Sequence, residues 1–375
     1  MTEYIHQLPD WPQFRWDQSR VDARLAEVRH AQGRLLGGMD ALGFDQRQSA
    51  QLESLAADVL KSSEIEGEQL DLESVRSSLA RRLGVDAGAL KTPERDVEGV
   101  VEMVLDATRN AAAPLDAERL WSWHAALFPL GRSGMRRIVA GAWRQDPDGP
   151  MQVVSGTLGR ERVHFEAPTA ARLPQEMGRF LDWFNGGPAM NWVLKAAVAH
   201  LWFVTVHPFE DGNGRVARAI ADLALTRSEG SPQRFYSMSA EIRQERAEYY
   251  RILERTQKGT LEITPWMEWF LNCLDRSIAN ALRMRLAVVA KARFWQRLAE
   301  AELNPRQRRV LNQLVDGFKG KLTSSKWALL AKCSQDTAAR DIQALVERGI
   351  LERGASAGRS THYLLAKIAG GTEPS

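Results

Sequence analysis

The sequence is poor in cysteine and contains no long apolar run. Its 375 residues include only two cysteines, Cys273 and Cys333. Both fall in apolar helical patterns, which argues against a disulfide framework and is typical of a reducing compartment. No stretch of about 18 consecutive apolar residues occurs, and the N-terminus lacks the basic and then apolar pattern of a secretory signal. These absences predict a cytoplasmic protein without a membrane partner.

Acidic side chains are scarce in one part of the chain. The net charge of the whole sequence is only +3, but residues 291–367 contain 15 Lys and Arg against 7 Asp and Glu. This part therefore carries +8 and the remainder −5. A basic C-terminal region on a mildly acidic body indicates nucleic acid, or an acidic partner, at that end only.

The densest group of chemically useful side chains lies in residues 207–218, His-Pro-Phe-Glu-Asp-Gly-Asn-Gly-Arg-Val-Ala-Arg. Apolar residues recur at helical spacing on both sides, so the pattern predicts two helices joined by a tight turn. The second helix is expected to begin between Gly212 and Arg215. A helix N-terminus that follows glycines is a ready anion site, because its unpaired N–H groups and its dipole both face the ligand.

Four side chains of this stretch suit a nucleotide-phosphate site. Arg215 and Arg218 share a helical face, where two planar guanidinium groups can hold phosphate oxygens. Asp211 is a hard oxygen ligand for a Mg²⁺ that also binds phosphate. His207 has the side chain best suited to act as a general base near neutral pH. These residues predict phosphate binding beside a proton acceptor.

The stretch resembles the signature of the Fic (Fido) family, His-Pro-Phe-x-(Asp/Glu)-Gly-Asn-Gly-Arg-x-x-Arg, and matches every fixed position. Most members of that family are adenylyltransferases, which move AMP from ATP to a protein hydroxyl. The resemblance implies that His207 deprotonates a Ser, Thr or Tyr hydroxyl of the target and that Asp211 holds Mg²⁺. It also implies phosphate contacts along the motif: Gly212, Asn213 and Gly214 around the α- and β-phosphates, Arg215 on the β-phosphate and Arg218 on the γ-phosphate.

A short motif upstream gains its meaning from this resemblance. Taken alone, Gly67 would simply end a helix. Ser62-x-x-x-Glu66-Gly67 also matches the family's inhibitory motif, (Ser/Thr)-x-x-x-Glu-(Gly/Asn). In similar proteins this glutamate pairs with the second arginine of the signature, here Arg218, and blocks productive seating of the γ-phosphate. The chain thus resembles the self-inhibited class, in which inhibitor and catalytic core share one polypeptide.

Between residues 135 and 168 the hydrophobic period changes from helical towards alternating. Two strand-like runs flank a Ser-Gly-Thr-Leu-Gly turn, so the pattern predicts a β-hairpin. The resemblance implies that this hairpin is the family's flap, whose edge near Val153–Gly156 aligns the target protein by strand addition. Recognition through main-chain pairing leaves the sequence of the target open.

Three residues outside these motifs also have expected roles. His124 lies on an aromatic helix face and is expected to be a buried structural residue, not a ligand. By resemblance, Tyr249 and Gln257, eight positions apart, help to hold the nucleotide. For the tyrosine pair Tyr249–Tyr250, aromatic packing on a helix face is an alternative.

The expected fold is mainly α: a Fic-type helical core with a β-hairpin flap, an N-terminal helical inhibitory region and a C-terminal winged helix-turn-helix. An aromatic-anchored arm opens the N-terminal region. The predicted domains are 1–92 for the inhibitory region, 93–303 for the catalytic core, 304–368 for the winged module and 369–375 for a tail.

The winged module is predicted from three helices followed by a hairpin with a Gly, Arg and Ser tip. Thr337, Arg340 and Gln343 would lie on its recognition helix, and Arg359 in its wing. Contact with DNA and docking to a protein both remain open for this module, and so does a homodimer.

Three functions are compatible with these motifs. The leading one is a self-inhibited protein adenylyltransferase that uses ATP and Mg²⁺ and modifies a target protein or itself. A second is a Fic enzyme that removes AMP or transfers phosphate, although two phosphate-binding arginines favour AMP transfer. A third is a nucleotide-sensing, DNA-binding regulator, against which His207 argues because a sensor needs no base.

Overall fold

Helices dominate the chain, which confirms the mainly α fold class. A computed structural model describes residues 4–85, 94–147, 149–156, 160, 162–186, 189–299, 301–315, 318, 320–354 and 361–366. The chain divides into two compact units, residues 1–283 and 284–375. Among the described helices, none combines the length and the apolar character needed to cross a lipid bilayer.

The first unit contains the motif and the elements around it. Its helices are α1 (Gln18–Asp40), α2 (Phe44–Ile65), α3 (Leu72–Leu83), α4 (Arg95–Arg109), α5 (Ala117–Leu127), α6 (Leu173–Gly186), α7 (Trp192–Val206), α8 (Asn213–Glu229), α9 (Met238–Gln244), α10 (Arg246–Gln257) and α11 (Thr264–Arg297), which begins here. Two antiparallel hairpins lie between α5 and α6: β1 (Arg132–Ser133) with β2 (Arg136–Arg137), and β3 (Gln152–Ser155) with β4 (Arg162–Glu166).

Helices α7 and α8 pack against each other at the centre of this unit. Every residue from Val193 to Val206 is buried, as expected for a helix surrounded by other helices. His207 ends α7 in the left-handed conformation (φ 51°), and Gly212 starts α8 with φ 77°. Such a φ is uncommon for histidine and costs glycine nothing. The chain therefore turns within residues 207–212 and places the motif where two buried helices meet.

The N-terminal arm is anchored by aromatic packing, as predicted. Trp11 is buried, packs edge-on against Trp202 of α7 (ring centroids 6.0 Å apart) and donates from Nε1 to Glu176 (2.9 Å). Residues 4–85 share one continuous hydrophobic core with the helices α4 to α11. The predicted inhibitory region is thus part of the first unit.

Helix α2 is fastened to the start of α9, one turn before the inhibitory motif. Asp58 is buried and accepts hydrogen bonds from Oγ of Ser237 (2.6 Å) and from the backbone N–H of Ser239 (3.3 Å). Buried carboxylates persist in proteins only when they are paired or hydrogen-bonded in this way. The attachment sets the position of the C-terminal end of α2, which carries Ser62 and Glu66.

The second unit has its own core, centred on the fully buried Trp327. Its elements after α11 are α12 (Pro305–Val315), α13 (Ser324–Ala331), α14 (Gln335–Glu347), β5 (Leu351–Arg353) and β6 (Tyr363–Leu365). The two strands pair in antiparallel fashion. Three helices followed by a hairpin fit the predicted winged helix-turn-helix, and the assignment to that class stays a prediction.

The two units divide earlier in the chain than the boundary expected at 303/304. Leu298 and Leu303 are buried in the second hydrophobic core, and Phe294 and Trp295 are partly buried and pack against it. These apolar residues therefore belong with the C-terminal module, and the division falls at 283/284. Arg359, at the tip of the predicted wing, and the tail 369–375 lie outside the described residues.

Candidate active site

Buried hydrogen bonds hold the motif loop in shape. The side chain of Asn213 accepts from the backbone N–H of Phe209 (3.0 Å) and donates to its carbonyl (2.8 Å). The ring of His124 stacks on Phe209, with centroids 4.1 Å apart, and its Nε2 lies 3.2 Å from the carbonyl of Asp211. His124 is therefore structural, as predicted. The side chain of Asn213 closes the loop, and its expected place in the phosphate cradle stays a prediction.

The protonation of His124 follows from its partners. Burial lowers the pKa of this imidazole to about 4, so the ring is neutral near pH 7. Its Nδ1 accepts from the backbone N–H of Gly141 (3.0 Å). The remaining proton is then on Nε2, which donates to the Asp211 carbonyl.

His207 is partly buried at the end of α7. Its carbonyl accepts from Nε of Arg144 (2.8 Å), and its Nδ1 lies 3.2 Å from the carbonyl of Val204. That contact requires the proton on Nδ1 and leaves Nε2 as an acceptor. Burial lowers the pKa of His207 to about 4. Near neutral pH the ring is uncharged and able to take a proton, as a general base must be.

The N-terminus of α8 has the backbone geometry expected of an anion site. Gly212 occupies the N-cap position without a side-chain hydrogen bond to the helix. The N–H groups of a first helical turn have no partners within the helix and attract negative groups. A Cβ on Gly214 would collide with Oε1 of Glu66 and lie 3.2 Å from Nη1 of Arg218. The Glu66 carboxylate therefore lies against the start of the helix, in the place that suits a phosphate.

Arg218 is held by the inhibitory motif at the end of α2. Its guanidinium donates from Nε to Oγ of Ser62 (2.9 Å), and from Nη2 to the Ser62 carbonyl (2.8 Å) and to Oε1 of Glu66 (2.8 Å). The Arg218 side chain is 3% exposed and that of Glu66 26%, so solvent screens this pair less than a surface pair. Nη1 is buried and has no hydrogen-bond partner among the described residues. The contact implied by the resemblance is present, and one donor remains for an anion.

A second carboxylate, which no motif in the sequence announced, meets the other motif arginine. Gly67 has φ 91°, which reverses the chain after α2, and the backbone N–H of Glu68 then donates to the Ser63 carbonyl (3.0 Å). From this position Oε2 of Glu68 accepts a hydrogen bond from Nη1 of Arg215. Each motif arginine is thus paired with a glutamate from the same turn.

Asp211 is the loop carboxylate best placed for a metal ion. Its side chain is 42% exposed, whereas that of Glu210 is 15% exposed and lies 3.8 Å from Arg136. The Asp211 carboxylate accepts from the backbone N–H of Gly212 and from Oγ of Ser133.

Among the described residues, no group of three or more His, Cys, Asp or Glu side chains could enclose a metal. Mg²⁺ is usually held by one or two carboxylates together with phosphate oxygens and water, so it needs no such group. One accessible carboxylate beside a phosphate site fits a Mg²⁺ that binds together with a nucleotide.

The other two residues expected to hold the nucleotide pack beneath the motif. Tyr249 is buried, with its hydroxyl 2.8 Å from Nε2 of His200. Gln257 is also buried, and its amide lies 3.3 Å from Oγ1 of Thr205. These contacts turn both side chains towards α7, and their expected role at the nucleotide stays a prediction. The more exposed tyrosine is Tyr250, whose hydroxyl lies 3.4 Å from Oε2 of Glu66.

The predicted hairpin forms from β3 and β4, with a bulge between Val153 and Val154. Among the described strands, β3 pairs with β4 alone, so one edge of β3 is open. His164 ties the hairpin to α10, with Nδ1 2.8 Å from Oε2 of Glu254. Residues 157–159 and 161, in the predicted turn, lie outside the described part of the chain.

Comparisons with known proteins agree with this geometry. Residues 114–225 match the model of the Fic/DOC family, and residues 4–85 match that of a domain of unknown function, DUF4172. The protein adenylyltransferase Fic of Culex quinquefasciatus is 26% identical over 269 residues, which are 70% of this chain and 47% of that protein. The protein adenylyltransferase fic-1 of Caenorhabditis briggsae is 38% identical over 106 residues, 28% of this chain and 19% of that protein.

A solved structure extends the likeness to most of the chain. The Fic family protein from Desulfovibrio desulfuricans G20 superposes with a TM-score of 0.53 at 20% identity, covering 95% of this chain and 98% of that one. At this identity the likeness concerns the fold. The match to the Fic/DOC family model covers the part of the chain that contains the motif. The chain spans about a quarter to a half of the length of the first curated relatives that it matches.

Proposed function

We propose that this chain is a protein adenylyltransferase, which transfers AMP from ATP to a hydroxyl of a target protein and is held inactive by Glu66. The observation that carries the proposal is one loop on which a neutral His207, an anion site at the start of α8 and two buried arginines come together, with Glu66 occupying the anion site. The names of the curated relatives support the reaction class.

The residues of the loop divide the reaction between them. Nε2 of His207 takes the proton from the target hydroxyl, whose oxygen attacks the α-phosphorus of ATP. The bond from the α-phosphorus to the β-phosphate oxygen breaks, pyrophosphate leaves, and AMP is joined to the target as a phosphodiester. N–H groups at the start of α8 and the guanidinium of Arg215 stabilise the charge that develops on the phosphates. A Mg²⁺ bound by Asp211 would neutralise part of that charge.

Glu66 opposes this arrangement at two points. It occupies Nη2 of Arg218, which the γ-phosphate needs, and its carboxylate lies against Gly214, where a phosphate would approach the helix. The Glu66 carboxylate and a phosphate group at this position would repel each other strongly, because the site is partly desolvated. The same carboxylate therefore disfavours a correctly seated triphosphate without blocking the base His207.

We also propose that the target protein adds a strand to the open edge of β3, near Val153–Gly156. Unpaired N–H and C=O groups on a strand edge are a template for another extended chain. Val154 is half-exposed and offers an apolar contact to such a strand. Proline placed at Val153 and, separately, at Val154 removes one backbone N–H each from this edge region. Equal target modification by both variants and wild type would exclude this binding mode.

For the second unit we propose contact with DNA, with protein docking as the alternative. Arg340 and Gln343 are exposed on α14, while Ala338, Asp341 and Ile342 face its core. The region is also the basic part of the chain. A gel shift with duplex DNA at increasing salt tests this, because phosphate contacts weaken steeply with salt. The absence of any shift at low salt would favour protein docking.

The reaction itself is tested with ATP labelled at either the α- or the γ-phosphate, in the presence of Mg²⁺. AMP transfer puts only the α-label on protein, whereas phosphate transfer puts only the γ-label there. The His207→Ala variant is the control, since it keeps the phosphate contacts. Release of AMP from a premodified protein, without incorporation of either label, would favour the AMP-removing alternative. Nucleotide binding without any transfer would favour the sensor.

A further inference from the structure

The pairing of Glu68 with Arg215 is built into the turn that ends α2. Three consecutive backbone N–H groups donate to carbonyls of the last helical turn: Glu66 to Ser63 (3.1 Å), Gly67 to Glu64 (3.2 Å) and Glu68 to Ser63 (3.0 Å). These bonds fix the backbone of Glu68 before its side chain makes any contact. Its carboxylate then reaches a guanidinium that is 147 residues away in sequence and only 3% exposed.

Arg215 depends on its glutamate more than Arg218 does. Without Glu66, Arg218 would keep two hydrogen bonds to Ser62. Among the described residues, Arg215 hydrogen-bonds only to Glu68, and its buried Nε and Nη2 atoms have no hydrogen-bond partner.

The other neighbours of Arg215 do not replace that anion. The ring of Phe128 lies 5.0 Å below the guanidinium, and the nearer oxygen of Asp211 is 4.0 Å from Nη2. A buried cation without an anion is unfavourable. Without Glu68, the Arg215 guanidinium would therefore favour binding of another negative group. Burial also raises the pKa of Glu68, although Arg215 opposes the shift, as expected for a carboxylate that has lost part of its hydration.

We propose that Glu68 is a second carboxylate gate, which keeps the β-phosphate of a nucleotide away from Arg215 independently of the Glu66–Arg218 pair. This inference rests on the proposed function, which places a nucleotide on the motif. ADP and ATP must displace Glu68 to reach Arg215. AMP has a single phosphate, which binds at the start of α8 and needs no contact with Arg215. Glu68 therefore selects by the number of phosphates, whereas Glu66 acts at the start of α8 and on Arg218.

Calorimetric titration of the full chain with AMP, ADP and ATP tests this gate. Glu68→Gln keeps the shape of the side chain and removes its charge. We expect this variant to bind ADP and ATP about fivefold to tenfold more tightly, because the lost ion pair contributes roughly 1 kcal/mol. AMP binding should stay within about twofold of wild type. The double variant Glu66→Gly with Glu68→Gln should bind ATP more tightly than either single variant, because two separate contacts are removed.

Glu64→Gln is the matched control. Glu64 lies on the same turn and loses the same charge, but it pairs with Lys61 (2.6 Å) and Arg243 (3.3 Å), not with the motif. It should leave all three affinities unchanged. If Glu68→Gln fails to fold, as judged by thermal unfolding, Glu68→Ala takes its place in the same titrations.

The outcomes separate this inference from the proposed function. Unchanged ADP binding in folded Glu68 variants overturns the gate, and so does an equal gain for AMP and ADP, which would be a general charge effect. If Glu66→Gly still strengthens ATP binding and raises AMP transfer in that case, the proposed function stands. If neither wild type nor any variant binds an adenine nucleotide, both fail.

Discussion

Oε1 of Glu66 accepts a 2.8 Å hydrogen bond from Nη2 of Arg218 and lies so close to Gly214 that a Cβ there would collide with it. One oxygen atom thus contacts both the arginine and the start of helix α8. An inhibitor that only neutralised Arg218 would leave the helix N-terminus open to phosphate. In the proposed inhibition, the position of Glu66 lets one side chain close both parts of the anion site.

Replacing Glu66 by glycine should raise the incorporation of AMP into the chain itself and into its targets. Each 1.4 kcal/mol of inhibitory pairing that is lost corresponds to about tenfold more protein able to react. Arg218→Ala should not have this effect, since it removes a phosphate contact together with the inhibitor's partner. The measurement is incorporation of α-labelled ATP, with Glu64→Gln as the charge-matched control. Folded Glu66→Gly protein that incorporates no more label than wild type would contradict the inhibitory role.

His207→Ala should lower the rate of AMP transfer about 10²–10⁴-fold, which abolishes detectable transfer, while ATP binding stays close to wild type. The neutral imidazole is the active form, and its pKa is lowered to about 4. The ratio kcat/KM should therefore hold from pH 7 down to about 5 and fall as pH drops through about 4. A midpoint near the ordinary histidine value, about 6.5, would show that burial does not control this ring.

Asp211→Ala should lose Mg²⁺-dependent activity, because Asp211 is the accessible carboxylate of the loop. Glu210→Ala is the matched comparison, since the Glu210 side chain is mostly covered and lies near Arg136. It should retain activity and a Mg²⁺ dependence close to wild type. Titration of the reaction with Mg²⁺ measures both variants. If Glu210→Ala lost activity and Asp211→Ala kept it, the Mg²⁺ ligand would be Glu210 and not Asp211.

Gly214→Ala should destabilise the protein by about 1–3 kcal/mol, because the added methyl group collides with the Glu66 carboxylate. In a Glu66→Gly background the collision is removed, and the same substitution should cost clearly less. Thermal or denaturant unfolding of the four proteins gives the coupling between the two sites. Additive effects would mean that the carboxylate and the helix do not touch in solution.

The second unit should fold by itself only if it retains the end of α11. A fragment of residues 284–375 keeps Phe294, Trp295 and Leu298, which pack in its core, whereas a fragment of residues 304–375 lacks them. We expect the longer fragment to unfold cooperatively and the shorter one to be less stable by several kcal/mol, since each buried large side chain contributes about 1.5–3 kcal/mol. Circular dichroism on heating measures this. Equal stability would place the boundary at 303/304 after all.

The sequence by itself determined the features whose parts are neighbours along the chain. His207, Asp211, Gly214 and Arg218 lie within one turn and the helix after it, so their spacing alone brings them together. The helical periods and the hairpin signal are local for the same reason, and they were sufficient for a mainly α fold. Ser62, Glu66 and Gly67 also lie together because they end a single helix, and their expected inhibitory role came from the family resemblance.

Only the tertiary structure decided which faces of these elements meet. Nothing local in residues 61–69 distinguishes Glu68, which pairs with Arg215, from Glu64, which pairs with Lys61 and Arg243. Likewise, neighbouring positions on α10 bury Tyr249 against His200 and leave Tyr250 beside Glu66. The helical period assigns each side chain to a face of its helix. Which residues that face contacts is decided only when segments distant in sequence pack together. The contacts that close the site therefore depend on how α2, α8 and α10 are assembled.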